Sequence, residues 1–152
     1  MASSVPDNAA PFLLLATFRG MVDELHRRLA AVGFSNVTAA QGLAMQAMGE
    51  GCTGIELAQR LGVSKQAAAR TIQGLEAADF AKRIRNPNDR REQIVTPSAK
   101  GLRMLAMSGE ILSDLVQEWR QRAGDHDVNV TLETLANANH GSRPWTHTPV
   151  DF

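Results

Sequence analysis

The sequence is 152 residues long, with 43% hydrophobic and 21% charged residues, which is typical of one globular domain with a buried core. No apolar run approaches the roughly 20 residues of a membrane span, and residues 1–11 lack the features of a signal peptide. The single cysteine, Cys52, excludes an intramolecular disulfide framework and a Cys-rich zinc site. We therefore expect a soluble cytoplasmic protein with no membrane partner.

The first predicted element is a long helix over residues 11–32, preceded by a flexible polar segment over residues 1–10. Apolar residues recur in the helix at spacings of three and four, which indicates one apolar stripe. Gly33 is expected to end the helix, because the residue after a helix often adopts the left-handed conformation. The stripe consists of Leu14, Phe18, Met21, Leu25, Leu29 and Val32.

Two short helices are predicted next, each opened by a capping box. In this motif a hydroxyl side chain accepts a hydrogen bond from an early helical N–H, and the residue three positions later bonds back. The first helix is expected to end near Met48 and the second at Gly62, with a turn over residues 49–52 between them. The two capping pairs are Thr38 with Gln41 and Thr53 with Glu56.

A helix-turn-helix motif is predicted where a tight turn at Gly62 is followed by a helix from Ser64 to about Ala78. Ser64 is the expected N-cap of this helix. Its inward face is predicted to hold Ala68, Ile72 and Leu75. The outward face is polar and carries Lys65, Gln66, Ala69, Arg70 and Gln73.

The hydrophobic period then changes, which predicts a β-hairpin with strands over residues 80–85 and 92–96. Residues 86–89 have turn chemistry, so Arg90 and Arg91 are expected near the tip. Thr96 and Pro97 are predicted to start the next helix, with proline at its first position.

That helix is expected to reach about Arg122, with an apolar face formed by Leu102, Leu105, Leu112, Leu115, Val116 and Trp119. Residues 124–127 are predicted to break it, and a last helix is expected near residues 128–139. From His140 the chain is predicted to be extended. The predicted fold class is therefore mainly α with a small β-hairpin.

The overall net charge of zero conceals an uneven distribution. Residues 54–103 hold ten basic and five acidic residues, a net charge of +5, whereas the rest holds six basic and eleven acidic residues, a net charge of −5. Nucleic-acid binding depends on a local basic face, because the released counterions are those near the contacted phosphates. Neutrality of the whole chain therefore does not exclude a nucleic-acid partner.

Three strings in this order resemble the MarR family of winged-helix transcriptional regulators. They are ELAQRLGVSKQ at residues 56–66, NPNDRR at 86–91 and TPSAKG at 96–101. The resemblance implies a winged helix-turn-helix fold and a homodimer whose N- and C-terminal helices interlock. It implies that the recognition helix, residues 64–78, enters the major groove and the wing, residues 81–96, lies along the minor groove.

The resemblance also implies a division of the chain and a set of residue roles. The expected parts are residues 11–36 as a dimerisation helix, 37–97 as the DNA-binding domain, 98–139 as C-terminal dimerisation helices and 140–152 as a tail. Arg91 is expected to enter the minor groove with Asp89 orienting it, and Arg90 to contact phosphate. The predicted DNA-binding residues are Ser64, Lys65, Gln66, Arg70, Gln73, Asp89, Arg90 and Arg91.

Two positions depart from the family pattern: Asp79 stands where glycine is usual after the recognition helix, and Gly74 lies within it. These departures and the few cations on the helix leave two functions open. The first is a repressor of palindromic operator DNA, with a small-molecule effector as the candidate signal for its release. The second is a winged-helix module for protein–protein assembly with a vestigial DNA face.

Other chemistry is weakly supported. No nucleophile–base pair or phosphate loop indicates an enzyme, and no cofactor is predicted. The four histidines show no metal-site spacing, and Cys52 is interpreted as a structural or incidental thiol. Met45, Met48 and Trp119 are candidates either for a ligand pocket or for ordinary packing.

Overall fold

The computed structural model describes residues 5–138, which form six helices and a small three-stranded sheet. This confirms the predicted class, mainly α with a β-hairpin. Residues 1–4 and the predicted tail at 140–152 lie outside the described residues. After a 3-10 turn at Asp7–Ala9, the elements are α1 (Ala10–Ala31), α2 (Ala39–Met48), β1 (Cys52–Thr53), α3 (Gly54–Leu61), α4 (Lys65–Ala77), β2 (Ala81–Arg85), β3 (Gln93–Pro97), α5 (Ala99–Ala123) and α6 (Asp125–Ala138).

Both predicted capping boxes are confirmed. Thr38 Oγ1 accepts from the Gln41 amide and the Gln41 side chain accepts from the Thr38 amide, both at 3.1 Å. The Thr53 amide donates to Glu56 Oε2 at 2.8 Å, and the reverse bond is 3.1 Å. These reciprocal bonds satisfy backbone donors that would otherwise be unpaired at the starts of α2 and α3.

The end of α1 is also as predicted. Gly33 has a φ of +99°, and the next amide, that of Phe34, donates to the Leu29 carbonyl at 2.9 Å. The Gly33 amide donates to Ala30, so the turn is a Schellman motif. Phe34 thereby packs beside the helix that it follows.

Two hydrophobic clusters hold the chain together. The larger one joins α2, α3, α4 and the sheet through buried residues that include Met45, Leu57 and Leu75. The smaller one joins α1 to α5 through Leu29, Ile111 and Leu115. Phe34 packs against both clusters, so the sheet-containing lobe, residues 37–98, is tied to the long helices.

A charge network reinforces the contact between α1 and α5. Arg28 donates to Glu24 in α1 at 2.7 Å and to Glu118 in α5 at 2.6 Å. Hydrogen bonds from Arg27 and Arg28 lower the pKa of the Glu24 carboxyl to about 2. Glu24 therefore stays ionised throughout the range in which the chain is expected to work.

The predicted turn over residues 49–52 is wrong at Cys52. Cys52 and Thr53 form β1, which pairs antiparallel with Val95 and Ile94, and the strand order is β1-β3-β2. Gly51 permits this close approach, because a Cβ there would lie 2.9 Å from Thr96 Cγ2. A two-residue strand is too short to show the alternation by which strands are predicted.

Pro97 is the last residue of β3, opposite Ala81, so its predicted place in the first turn of α5 is wrong. Ser98 caps α5 instead, since its hydroxyl accepts from the Gly101 amide at 3.0 Å. Ser98 also donates its own amide to the Phe80 carbonyl at 2.9 Å. Because Ser98 bonds both to the first turn of α5 and to Phe80, α5 begins directly after Ser98.

Two further expectations about α5 and α6 are wrong. Leu102, predicted on the apolar face, is 56% exposed, whereas Leu115 of that face is buried together with Gly101, Met104, Gly109 and Ile111. Residues 125–127 belong to the first turn of α6, because Gly124 alone breaks the chain at a φ of +89°. Acidic side chains in the first turn stabilise a helix, because their negative charge interacts favourably with the positive end of the helix dipole.

Gly101 allows α5 to start directly against the sheet. A Cβ at this buried position would collide with the Phe80 carbonyl and lie 2.7 Å from Met45 Cε. The glycine in the string at residues 96–101 therefore has a packing role. It brings the first turn of α5 into contact with the end of the recognition element.

Gly101→Ala is expected to lower the free energy of unfolding by about 2 kcal/mol or more, because the backbone must separate to admit a methyl group. Urea denaturation measures the change. Gly42→Ala in α2 is the matched control, since a Cβ there meets nothing within 4 Å. It should be neutral or stabilising by up to about 1 kcal/mol. Equal effects of the two substitutions would contradict this packing role.

Candidate nucleic-acid interface

The helix-turn-helix motif forms where α3 ends. Gly62 takes the left-handed conformation at a φ of +66°, and its amide donates to Gln59 at 3.2 Å. Ser64 then caps α4, with its hydroxyl accepting from the Ala67 amide at 3.1 Å. The first turn of α4 is exposed to solvent at Lys65 and Gln66, and an exposed helix N-terminus favours anions.

The two faces of α4 divide as predicted. Ala68, Ile72 and Leu75 are almost completely buried in the larger cluster. The opposite face is exposed to solvent and carries Lys65, Gln66, Ala69, Arg70 and Gln73. Four of these five side chains can donate or accept hydrogen bonds at base edges or phosphates.

Asp79 takes over the conformation of a glycine at the end of α4. Its φ is +60°, and the Phe80 amide donates to the Leu75 carbonyl at 2.8 Å, so the end is a Schellman motif. Ser98 Oγ donates to the Asp79 carbonyl at 2.5 Å, and Lys100 Nζ to the Ala78 carbonyl at 3.0 Å. The departure from glycine therefore leaves the geometry of the turn intact.

Gly74 has a neighbour that accounts for its size. A Cβ at this position would lie 3.3 Å from Nε2 of Gln41, the side chain that completes the capping box of α2. A larger residue at position 74 would require that side chain to shift by a few tenths of an ångström.

The hairpin of β2 and β3 is a wing whose tip is ordered by its own side chains. Asn86 Oδ1 accepts from the Asn88 amide and Asp89 Oδ1 from the Arg91 amide, both at 2.9 Å. The side chain of Asn86 also donates to Glu92 at 3.1 Å. Asp89 therefore fixes the backbone of Arg91, and Arg91 is exposed to solvent.

Most of the acidic side chains of residues 54–103 are engaged within the lobe. Glu56 serves a capping box, Glu76 pairs with Arg83, and the wing acids Asp89 and Glu92 accept the bonds described above. Three cations are also engaged: Arg60 donates to the Ala47 carbonyl, Lys100 caps α4, and Arg83 binds Glu76. The cations of this segment with neither an ion pair nor a side-chain hydrogen bond to a described residue are Lys65, Arg70, Lys82, Arg85, Arg90, Arg91 and Arg103.

A solvent-open groove of about 290 Å³ lies between α4 and the wing. Its lining includes Lys65 and Ala69 of α4, Arg83 of β2 and Gln93 of β3. The predicted site residues thus occupy two surfaces, the outer face of α4 and the wing tip, on either side of this groove. Sequence reasoning did not identify Arg83, Arg60 or Lys100 as internal partners, since their acceptors lie on other elements.

The other candidate residues, Cys52, Met45, Met48 and Trp119, do not come together in one site. Cys52 is 2% exposed, and burial raises the pKa of its thiol, as expected for a structural cysteine. Met45 and Met48 are fully buried in the core. Trp119 instead lines a separate groove of about 240 Å³ between α5 and α6, so the three do not form one pocket.

Residues 5–138 contain neither a candidate metal site nor a candidate membrane span. No group of three or more His, Cys, Asp and Glu side chains in residues 5–138 is placed to hold a metal ion. Over the same range, no helix combines the length and apolar character that crossing a membrane requires.

The chain is similar in structure to several solved winged-helix proteins. It matches apo MarR from E. coli at 24% identity, covering 90% of this chain and 98% of that one, with a TM-score of 0.66. BldR from Sulfolobus solfataricus matches at 27% identity, 88% and 97% coverage and a TM-score of 0.61. FabT from Streptococcus pneumoniae, crystallised in complex with DNA, matches at 14% identity, 89% and 96% coverage and a TM-score of 0.74.

A recognition helix, a wing and long flanking helices define the chain as a winged helix-turn-helix protein. The model of the MarR family matches residues 37–92. Comparison with curated protein sequences gives no match. Residues 37–92 are therefore similar to the MarR family, and the likeness in fold to MarR from E. coli extends over 90% of the chain.

Asp79→Gly is expected to raise the free energy of unfolding by about 0.5–1 kcal/mol, because glycine adopts a positive φ without steric cost. Ala77→Gly, two residues earlier, should have the opposite sign, since Ala77 is helical. Chemical denaturation of the two variants measures both changes. A loss of stability in Asp79→Gly would mean that the carboxylate itself stabilises the turn.

Proposed function

We propose that the protein is a homodimeric, sequence-specific repressor that binds palindromic operator DNA. The observation that carries the proposal is the distribution of partners in the lobe. Its acidic side chains are mostly engaged internally, whereas six of its cations have neither an ion pair nor a side-chain hydrogen bond to a described residue. Such a surface attracts phosphates although the whole chain is neutral.

In this proposal α4 lies in the major groove. Gln66, Arg70 and Gln73 are the base readers, since arginine binds guanine and glutamine binds adenine through paired hydrogen bonds. Ser64 and Lys65, at the start of the helix, contact phosphate. The exposure of this face and the burial of the opposite one support these roles.

The wing supplies the second contact. Arg91 enters the minor groove, whose negative potential suits a guanidinium group, and Arg90 contacts the phosphate backbone. Asp89 positions Arg91 through the main chain, by the 2.9 Å bond from the Arg91 amide. An ordered tip reduces the entropy lost when the wing binds.

The dimer is supported by the uncovered apolar surface of α1. Residues 12–15 are all exposed, Phe12 at 73%, although this helix carries apolar side chains at every one of these positions. Contiguous apolar surface of this kind marks an interface. A second protomer related by a two-fold axis would cover it and place two copies of α4 on successive half-sites.

Release by an effector is the remaining part of the proposal. A small molecule that binds one spacing of the two recognition helices better than the other would change DNA affinity. The competing function, a protein–protein assembly module, was suggested partly by Asp79. Because Asp79 keeps the turn of a glycine, that reason no longer applies.

Arg91→Ala is expected to weaken operator binding several-fold, because the contact in the minor groove is lost. It should also lower the slope of affinity against salt concentration, because one cation fewer displaces counterions from DNA. Arg70→Ala should relax the base preference at one position in each half-site. Selection from a random DNA pool, followed by titrations at several salt concentrations, measures both effects. If the affinity of the wild-type protein for duplex DNA does not depend on salt, the regulator proposal fails in favour of the assembly module.

Replacing Phe12 and Leu14 together with aspartate is expected to raise the dimer dissociation constant at least about a hundredfold, since each buried apolar side chain contributes about 1.5–3 kcal/mol. Sedimentation equilibrium measures the constant. Ile84→Asp is the matched control, because Ile84 is 42% exposed but lies on the wing. A monomeric wild-type protein, or equal effects of the two variants, would reject the proposed dimer surface.

A further inference from the structure

One ion pair joins the recognition helix to the wing. Arg83 Nε in β2 donates to Glu76 Oε1 in α4 at 2.7 Å, and the two side chains are 38% and 32% exposed. Among the ion pairs of the described residues, it is the one formed within residues 54–103. The other acids of this segment that have partners bind backbone amides or an asparagine side chain.

Arg83 is placed where a guanidinium group could otherwise meet DNA. It lines the groove between α4 and the wing together with Lys65, at the start of the proposed reading face. It also shares one face of β2 with Arg85, since alternate residues of a strand point the same way. Arg85 has no ion pair with a described residue, so Arg83 differs from it in having Glu76 as a neighbour.

We infer that Glu76 acts as an internal competitor for phosphate, withholding Arg83 from DNA and so limiting sequence-independent binding. A carboxylate and a phosphate compete for the same guanidinium donors. While Glu76 holds Arg83, that cation releases no counterions from DNA and adds nothing to the affinity for arbitrary sequence. Glu76 is thus a positioning residue, and the inference rests on the proposed DNA-binding function.

The benefit of such a device follows from competition in the cell. Every duplex segment competes for the protein through its phosphates, and the ratio of specific to non-specific affinity decides occupancy of the operator. The lobe already presents six cations that have no partner among the described residues, so phosphate binding does not require Arg83 as a seventh. Holding Arg83 also fixes β2 against α4, so the charge that is withheld contributes to the geometry of the lobe.

The test compares wild type, Glu76→Gln, Arg83→Gln and the double variant on a 30-base-pair duplex of random sequence, from roughly 50 to 200 mM KCl. Glu76→Gln should bind about threefold to tenfold more tightly at low salt, with a slope steeper by about 0.9. Arg83→Gln should keep the wild-type slope, and the double variant should match Arg83→Gln. Thermal melts establish that all four proteins are folded.

The double-mutant cycle separates release of Arg83 from a general charge effect. Glu110→Gln removes an exposed acid of α5 that pairs with no described residue, and it should leave binding nearly unchanged. If Glu76→Gln tightens binding equally with and without Arg83, or Glu110→Gln matches it, long-range charge explains the gain and the inference is wrong. A slope reduced by about 0.9 in Arg83→Gln would show that Arg83 already contacts phosphate, which also overturns it.

Failure of the inference is distinguishable from failure of the proposed function. If the wild-type protein binds DNA with salt dependence and Arg91→Ala weakens that binding, the proposed function stands whatever Glu76→Gln does. If the wild-type protein shows no salt-dependent binding, both proposals are overturned.

Discussion

The contact between the first turn of α5 and the Phe80 carbonyl is the constraint on which the lobe depends. The carbonyl accepts the Ser98 amide at 2.9 Å, and Gly101 lies so close that no side chain fits between them. Lys100, in the same turn, caps α4 and lies 5.1 Å from the centre of the Phe80 ring. Further along, α5 packs against α1 in the smaller hydrophobic cluster. The contact between α5 and Phe80 therefore sets the orientation of the recognition helix relative to the long helices.

The parts of the fold that sequence predicts well are those determined by neighbouring residues. Capping boxes, the glycine after α1 and the face of α4 each depend on residues within one or two turns. The errors occur where a distant partner decides. Cys52 becomes a strand because Val95 is beside it, and α5 starts at Ser98 because the Phe80 carbonyl receives its amide.

The candidate site shows the same division. Composition and spacing locate the outer face of α4 and the wing tip, but they give only a sum of charges. The partner of Arg83 is seven residues away along the chain, those of Arg60 are 12 and 13 residues away, and that of Lys100 is 22 residues away. All of them lie on other elements. Which cations remain available to a ligand is therefore a property of the tertiary structure, and the DNA roles assigned to Gln66, Arg70 and Arg91 remain predictions.

Thr53 has a consequence for the dynamics of the wing. It pairs with Ile94 in the sheet and also caps α3, so the base of the wing shares its hydrogen bonds with the helix-turn-helix motif. Amides at this base should exchange with solvent deuterium only when the whole lobe opens. Those of the solvent-exposed tip should exchange through local openings that leave the base of the wing paired.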